Sequence, residues 1–161
     1  MNTLERKVDL LAEILLADNY YKRDKATSEL KEILKNGLGC ASTSIADQIE
    51  NLLLEIGIPT GLKGFYGLKL AIEMFAKDRT YLGNFVSGLY VDVAHKLGEE
   101  NGVVRVERCM RTAIEAAWDR GNEDVLYKYF GNSIDPKRGK PTCREFIVRM
   151  ADEATKRARM A

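Results

Sequence analysis

Arg105, Arg108 and Arg111 recur at every third position inside the stretch from Val103 to Gly121, with Glu107 between the first two and Thr112 after the third. At 100° per residue the stretch divides into two sides. Val106, Met110, Ala113, Ile114 and Ala117 share one side, with Cys109 and Ala116 at its edge. Arg105, Arg108, Arg111, Thr112 and Glu115 share the other. An ordinary solvated helix face mixes Glu with Lys at i,i+4 spacing, and this one carries no lysine. Arginine forks onto O6 and N7 of guanine, and glutamate accepts from N4 of cytosine, so the set is what a helix lying in a DNA major groove would use. Spacing alone also leaves open a plain surface helix.

Competing chemistries find little support. No Gly-rich phosphate loop, nucleophile elbow or metal-ligand cluster is present, and His95 is the only histidine. Glu99 and Glu100 fall in a turn and read as solvated, and Trp118 and the tyrosines read as core. No catalytic residue, metal or cofactor is therefore expected, and the chain is not expected to be an enzyme. Cys40, Cys109 and Cys143 cannot all pair with one another and form no Cys-x-x-Cys motif, which reads as free thiols in a cytoplasmic protein. The apolar runs are too short to span a bilayer, and the first residues lack the apolar core of a signal peptide. Apolar content of 45% and charged content of 30% suit a globular domain. Net charge is close to zero but unevenly spread. Residues 1–101 carry 12 basic against 15 acidic side chains, and residues 102–161 carry 13 against 9. The positive excess lies in the half with the arginine row, a modest argument for a nucleic-acid partner.

The elements that must position the row are all helical. Leu4, Val8, Leu11 and Leu15 at 4-3-4 spacing predict a helix over about 3–18, and Leu30, Ile33 and Leu34 a second over about 24–35. Residues 37–44 read as a linker. Helices follow over about 44–56, 65–77 and 81–97, then a glycine-containing turn over 98–102 and the helix over 103–120, in helix-turn-helix order. A short helix over about 123–130 is capped by Asn122, and Thr142-x-x-Glu145 is a capping box that opens the last helix. The expected fold is all-α: a compact multi-helix domain containing a helix-turn-helix over 42–161, with an N-terminal helical hairpin over 1–41. Between the last two helices, Lys137, Arg138 and Lys140 sit in a basic loop, read either as a solvated turn or as a clamp on DNA phosphate.

Arg105-Val106-Glu107-Arg108, Arg111, Ala113-Ile114-Glu115, Ala117-Trp118 and Arg120-Gly121-Asn122 together resemble a recognition helix of known type. Leu53 to Pro59, Lys63-Gly64, Leu89-Tyr90, Phe130-Gly131, Gly139 to Thr142, Glu145 to Ile147 and Ala151-Asp152 extend the likeness in order over about residues 50–160. The family is the C-terminal DNA-binding effector domain of the sporulation master response regulator of endospore-forming bacteria. The resemblance implies double-stranded DNA as partner, touched by Arg105, Glu107, Arg108 and Arg111; their chemistry reads as Arg108 and Arg111 on guanine, Glu107 on a cytosine or orienting a neighbouring arginine, and Arg105 on phosphate. Arg159 falls opposite a basic residue near the family's C-terminus and is a further phosphate candidate. RNA polymerase is implied as a partner around the helix after the recognition helix.

The sequence also departs from the family. Thr112 stands where the family has histidine, and the turn before residue 103 is about two residues longer. The roughly 40 residues ahead of the domain cannot hold a receiver with its phospho-acceptor aspartate. They read as a packing extension or as a homodimer element through residues 3–35. The alternative to a DNA-binding regulator is a protein-binding module on the same scaffold, such as a mobile-element inhibitor of a host regulator or defence factor.

Overall fold

The computed structural model describes residues 3–16, 20–37, 44–99, 102–131, 134 and 139–160. Among these residues the chain is helical throughout, without a strand. The fold divides into an N-terminal helical pair and a larger body. The pair consists of α1 (Thr3–Leu16) and α2 (Tyr20–Gly37) packed on each other. On α1, Val8 and Leu11 of the 4-3-4 stripe are 59% and 50% exposed.

The larger body begins at α3 (Ile45–Ile56). Ser44 starts it through the reciprocal box in which its hydroxyl accepts from the Asp47 N–H at 3.2 Å and the Asp47 carboxylate accepts from the Ser44 N–H at 3.1 Å. Gly57 stops it with φ +89°, where an L side chain would be strained. Next comes α4 (Lys63–Lys77), which packs against α3, α6 (Val103–Arg120) and α8 (Cys143–Met160) and forms the centre of the core. Leu52, Leu53 and Ile56 of α3, Leu68, Ile72 and Phe75 of α4, Met110 and Ile114 of α6, and Phe146 and Ile147 of α8 are all at most 1% exposed. Burying a side chain of this kind stabilises by about 1.5–3 kcal/mol, so these faces fix the helices to one another.

The helix predicted over 81–97 is three pieces. A 3₁₀ turn, Arg79–Gly83, is followed by a π-helical turn, Phe85–Leu89, and then by α5 (Tyr90–Lys96). Gly83 and Asn84 interrupt the α pattern, and Asn84 adopts φ −146° and ψ 66°. The wider turn puts Phe85 inward against the rings of Phe75 and Tyr90, at 5.4 and 6.0 Å between centroids. Val86 is left outward at 61% exposure. Apolar spacing alone does not distinguish a π turn from an α turn over five residues.

Three helix boundaries agree with their sequence signals. α6 spans the predicted 103–120. α7 (Glu123–Phe130) opens on Asn122, whose side chain accepts from the Asp124 N–H at 2.9 Å. α8 opens on the Thr142–Glu145 box, in which the Glu145 carboxylate accepts from the Thr142 N–H at 2.7 Å. One ionic cluster ties α3, α7 and α8. Glu55 accepts from Lys128 at 3.1 Å, Tyr129 at 2.7 Å and Arg157 at 2.9 Å, and Arg157 also bonds the Tyr129 hydroxyl. Burial would push the Glu55 carboxyl up, but these bonds outweigh it and bring it down to about 2.

Candidate nucleic-acid interface

The side of α6 that faces inward is fully used. Val106, Met110, Ala113, Ile114 and Ala117 are 4% exposed or less. Close approach of α4 makes this possible, because Gly64 and Gly67 lie directly under the helix. A Cβ at position 64 would overlap the Cys109 carbonyl oxygen and stand 2.7 Å from the Ala113 Cβ. At position 67 the nearest atom would be Met110 Cγ at 3.0 Å. Two glycines one turn apart thus let two backbones meet and hold α6 at a fixed depth.

On the outward side Arg105, Arg108, Arg111 and Thr112 are exposed and Glu107 is half-buried. The glutamate binds the Arg111 guanidinium at 2.5 Å, an i,i+4 pair that aims the fork along the helix. Arg105 reaches back to Glu99 at 3.2 Å, just before the turn. Arg108 has no hydrogen bond or ion pair among the described residues and lies near the middle of the outward stripe. Cys143, at the start of α8, packs beneath this edge with its Sγ 4.0 Å from the Glu107 carbonyl. Burial pushes its thiol up to about 11, so it stays protonated and apolar at neutral pH.

A cleft of about 690 Å³ opens beside Glu107 and Arg111. Its other walls are Asn84 to Ser87 from the π turn and Lys140 to Arg144 from the segment leading into α8. Lys140 is drawn to α6 by Glu115 at 3.8 Å. The Arg144 guanidinium lies over the Phe85 ring at 5.1 Å and donates to the Leu82 carbonyl at 2.8 Å.

The structure therefore gathers Arg105, Glu107, Arg108, Arg111 and Lys140 around one face. Lys137 and Arg138 lie outside the described residues. Arg159 is not gathered with them. It sits in the last turn of α8, sixteen residues beyond Cys143, or about 24 Å along the axis at 1.5 Å per residue. Sequence reasoning missed the cleft, because Asn84 and Ser87 belong to no motif and the capping box around Arg144 marks only a helix start. It also missed the packing role of Gly64, although a small residue every third or fourth position on α4 was a readable signal.

No group of His, Cys, Asp and Glu able to hold a metal ion exists among the described residues. None of the helices formed by those residues is long and apolar enough to cross a membrane. The family described as "Sporulation initiation factor Spo0A C terminal" matches residues 49–154, which span α3 to most of α8. That match covers well over half of the chain and includes the whole arginine face. The family is a DNA-binding regulatory one rather than an enzymatic one. The chain accordingly belongs to the Spo0A C-terminal domain family, the DNA-binding part of a sporulation regulator.

Proposed function

We propose that the protein is a sequence-specific transcription regulator that lays α6 in the DNA major groove. Arg108 and Arg111 read guanine, Glu107 orients Arg111 or accepts from a cytosine, and Arg105 and Lys140 hold phosphate. One observation carries the reading: three arginines stand exposed on a helix whose opposite side is completely buried. Such a side-chain row is placed by the core rather than by its own flexible stems.

Selection of bound duplexes from a random pool tests binding and specificity together, repeated with Arg108→Ala. The substitution is expected to cost about 1–3 kcal/mol at the selected site and to relax preference at one position. Equal weakening on every sequence would reduce Arg108 to a phosphate contact.

Two further partners belong to this reading. RNA polymerase would meet α7, where Tyr127 is 68% exposed. A second copy would meet the exposed Val8 and Leu11 on α1; Leu11→Glu is then expected to lower the apparent mass in sizing chromatography, and unchanged elution at all concentrations would end the dimer idea. A protein-binding role for the same scaffold is favoured by the longer turn before α6 and by the near-neutral total charge. It would appear as capture of a protein partner with no selected duplex.

A further inference from the structure

We propose that Val104 reads the 5-methyl group of a thymine within two base pairs of the guanine bound by Arg108; this rests on α6 being the DNA-reading helix. Val104 is 79% exposed. It lies one turn before Arg108, and Thr112 lies one turn after it, so each step of four residues drifts only about 40° around the helix. The three side chains form one outward row: isopropyl, guanidinium, then hydroxyl with methyl. Val106 and Met110, on the opposite side, are 4% and 0% exposed.

Among the described residues the fold makes little use of the Val104 side chain. It does not fill the core, and it does not cap the helix, whose N-cap position is Gly102 without a side-chain bond. A β-branched residue there also lowers helix propensity slightly relative to alanine. The residue sits in the first turn of α6, the end of a recognition helix that contacts base edges. Among the hydrogen-bond donors and acceptors of the major-groove floor, the thymine methyl is the apolar group that side chains such as Ala, Thr and Phe contact. An isopropyl group among arginines is complementary to that methyl, the bulkiest apolar feature of the floor. Four residues rise about 6 Å, less than two base-pair steps of about 3.4 Å. The thymine therefore lies within two base pairs of the guanine that Arg108 contacts.

Removing only the methyl tests this directly. Each thymine of the selected duplex is replaced singly by uracil, and binding of the full chain is followed by fluorescence anisotropy. Wild-type protein is expected to weaken roughly 3- to 10-fold at one thymine within two base pairs of the Arg108-dependent guanine. Val104→Ala should bind the thymine and uracil duplexes alike at that position, with unchanged helical circular dichroism. The proposal falls if no thymine in that window is sensitive, or if the sensitivity persists in Val104→Ala. Unmodified and scrambled duplexes measured alongside separate the two levels. Equal wild-type binding to both would remove the reading of α6 and Val104 with it, whereas intact preference without a methyl effect would remove Val104 alone.

Discussion

Replacing Gly64 by alanine should damage the protein more than replacing Gly67, although both glycines lie on the same side of α4. Each substitution gains about 1 kcal/mol of helix propensity and loses some entropy in the unfolded chain. The steric terms differ. At position 64 the new methyl overlaps the Cys109 carbonyl and stands 2.7 Å from the Ala113 Cβ, atoms fixed to the α6 backbone. Ordinary carbon contacts need about 3.5–4.0 Å, so α6 must retreat by roughly an ångström. Overpacking of this kind costs about 1–3 kcal/mol, occasionally more, and a displaced α6 also loosens its seams with α4 and α8. At position 67 the nearest atom is Met110 Cγ at 3.0 Å, part of a flexible side chain that can turn aside. Gly64→Ala is therefore expected to be net destabilising, by up to about 2 kcal/mol, and Gly67→Ala to be near neutral. Trp118, the only tryptophan, packs on Phe130 and Phe146 at 5.0 and 6.4 Å and reports unfolding of the larger body. Urea titration followed by its fluorescence should show a lower midpoint for Gly64→Ala at an unchanged slope. A Gly64→Ala protein as stable as wild type, or a more damaged Gly67→Ala, would refute the close-crossing account.

The other expectations concern charge. Glu55 is held at about 2 in the folded protein against about 4.5 when unfolded, so its stabilisation is complete above about pH 5 and drains away as the pH falls toward 2. Its side chain is 31% exposed, which discounts the effect to about 1–2 kcal/mol; Glu55→Gln should flatten the acid limb of the stability curve, and an unaltered acid limb would assign the loss to other carboxylates. Lys140→Ala should reduce the slope of log affinity against log salt by about 1 without altering base preference. An unchanged slope would take that lysine out of the interface.

Most of the scaffold was legible because its signals are local. Ser44, Gly57, Asn122 and the Thr142–Glu145 pair mark boundaries through bonds that span at most five residues, and the structure contains those bonds. The stretch from Arg79 to Lys96 was not legible in the same way. Its apolar residues fit one long helix, and the ring packing of Phe85 on Phe75 and Tyr90 accompanies the π turn that replaces the α continuation. That packing is tertiary and leaves no period in the chain. Residues of the cleft share this property: Asn84, Ser87 and Arg144 are brought beside Arg111 by packing.

The arginine row itself was readable, but its internal organisation needed coordinates. Arg105 and Arg111 each hold a carboxylate, which at first sight competes with DNA. The magnitudes point the other way. Both guanidinium groups are more than 60% exposed, and exposed ion pairs are worth about 0–1 kcal/mol, whereas a bidentate contact to guanine discriminates by about 1–3 kcal/mol. On the proposed reading the exposed Glu107 bond is weak enough to be exchanged for a base, and before exchange it holds the Arg111 fork along the helix. Glu99 acts differently, because it lies across the turn and draws Arg105 back toward the start of α6. In the proposed reading that bond turns Arg105 toward the strand backbone, while its neighbour Val104, about 100° round the helix, is left facing the groove. On that reading the two carboxylates distinguish Arg105, the phosphate contact, from Arg111, a base reader, while Arg108, which no carboxylate holds among the described residues, reads the second base.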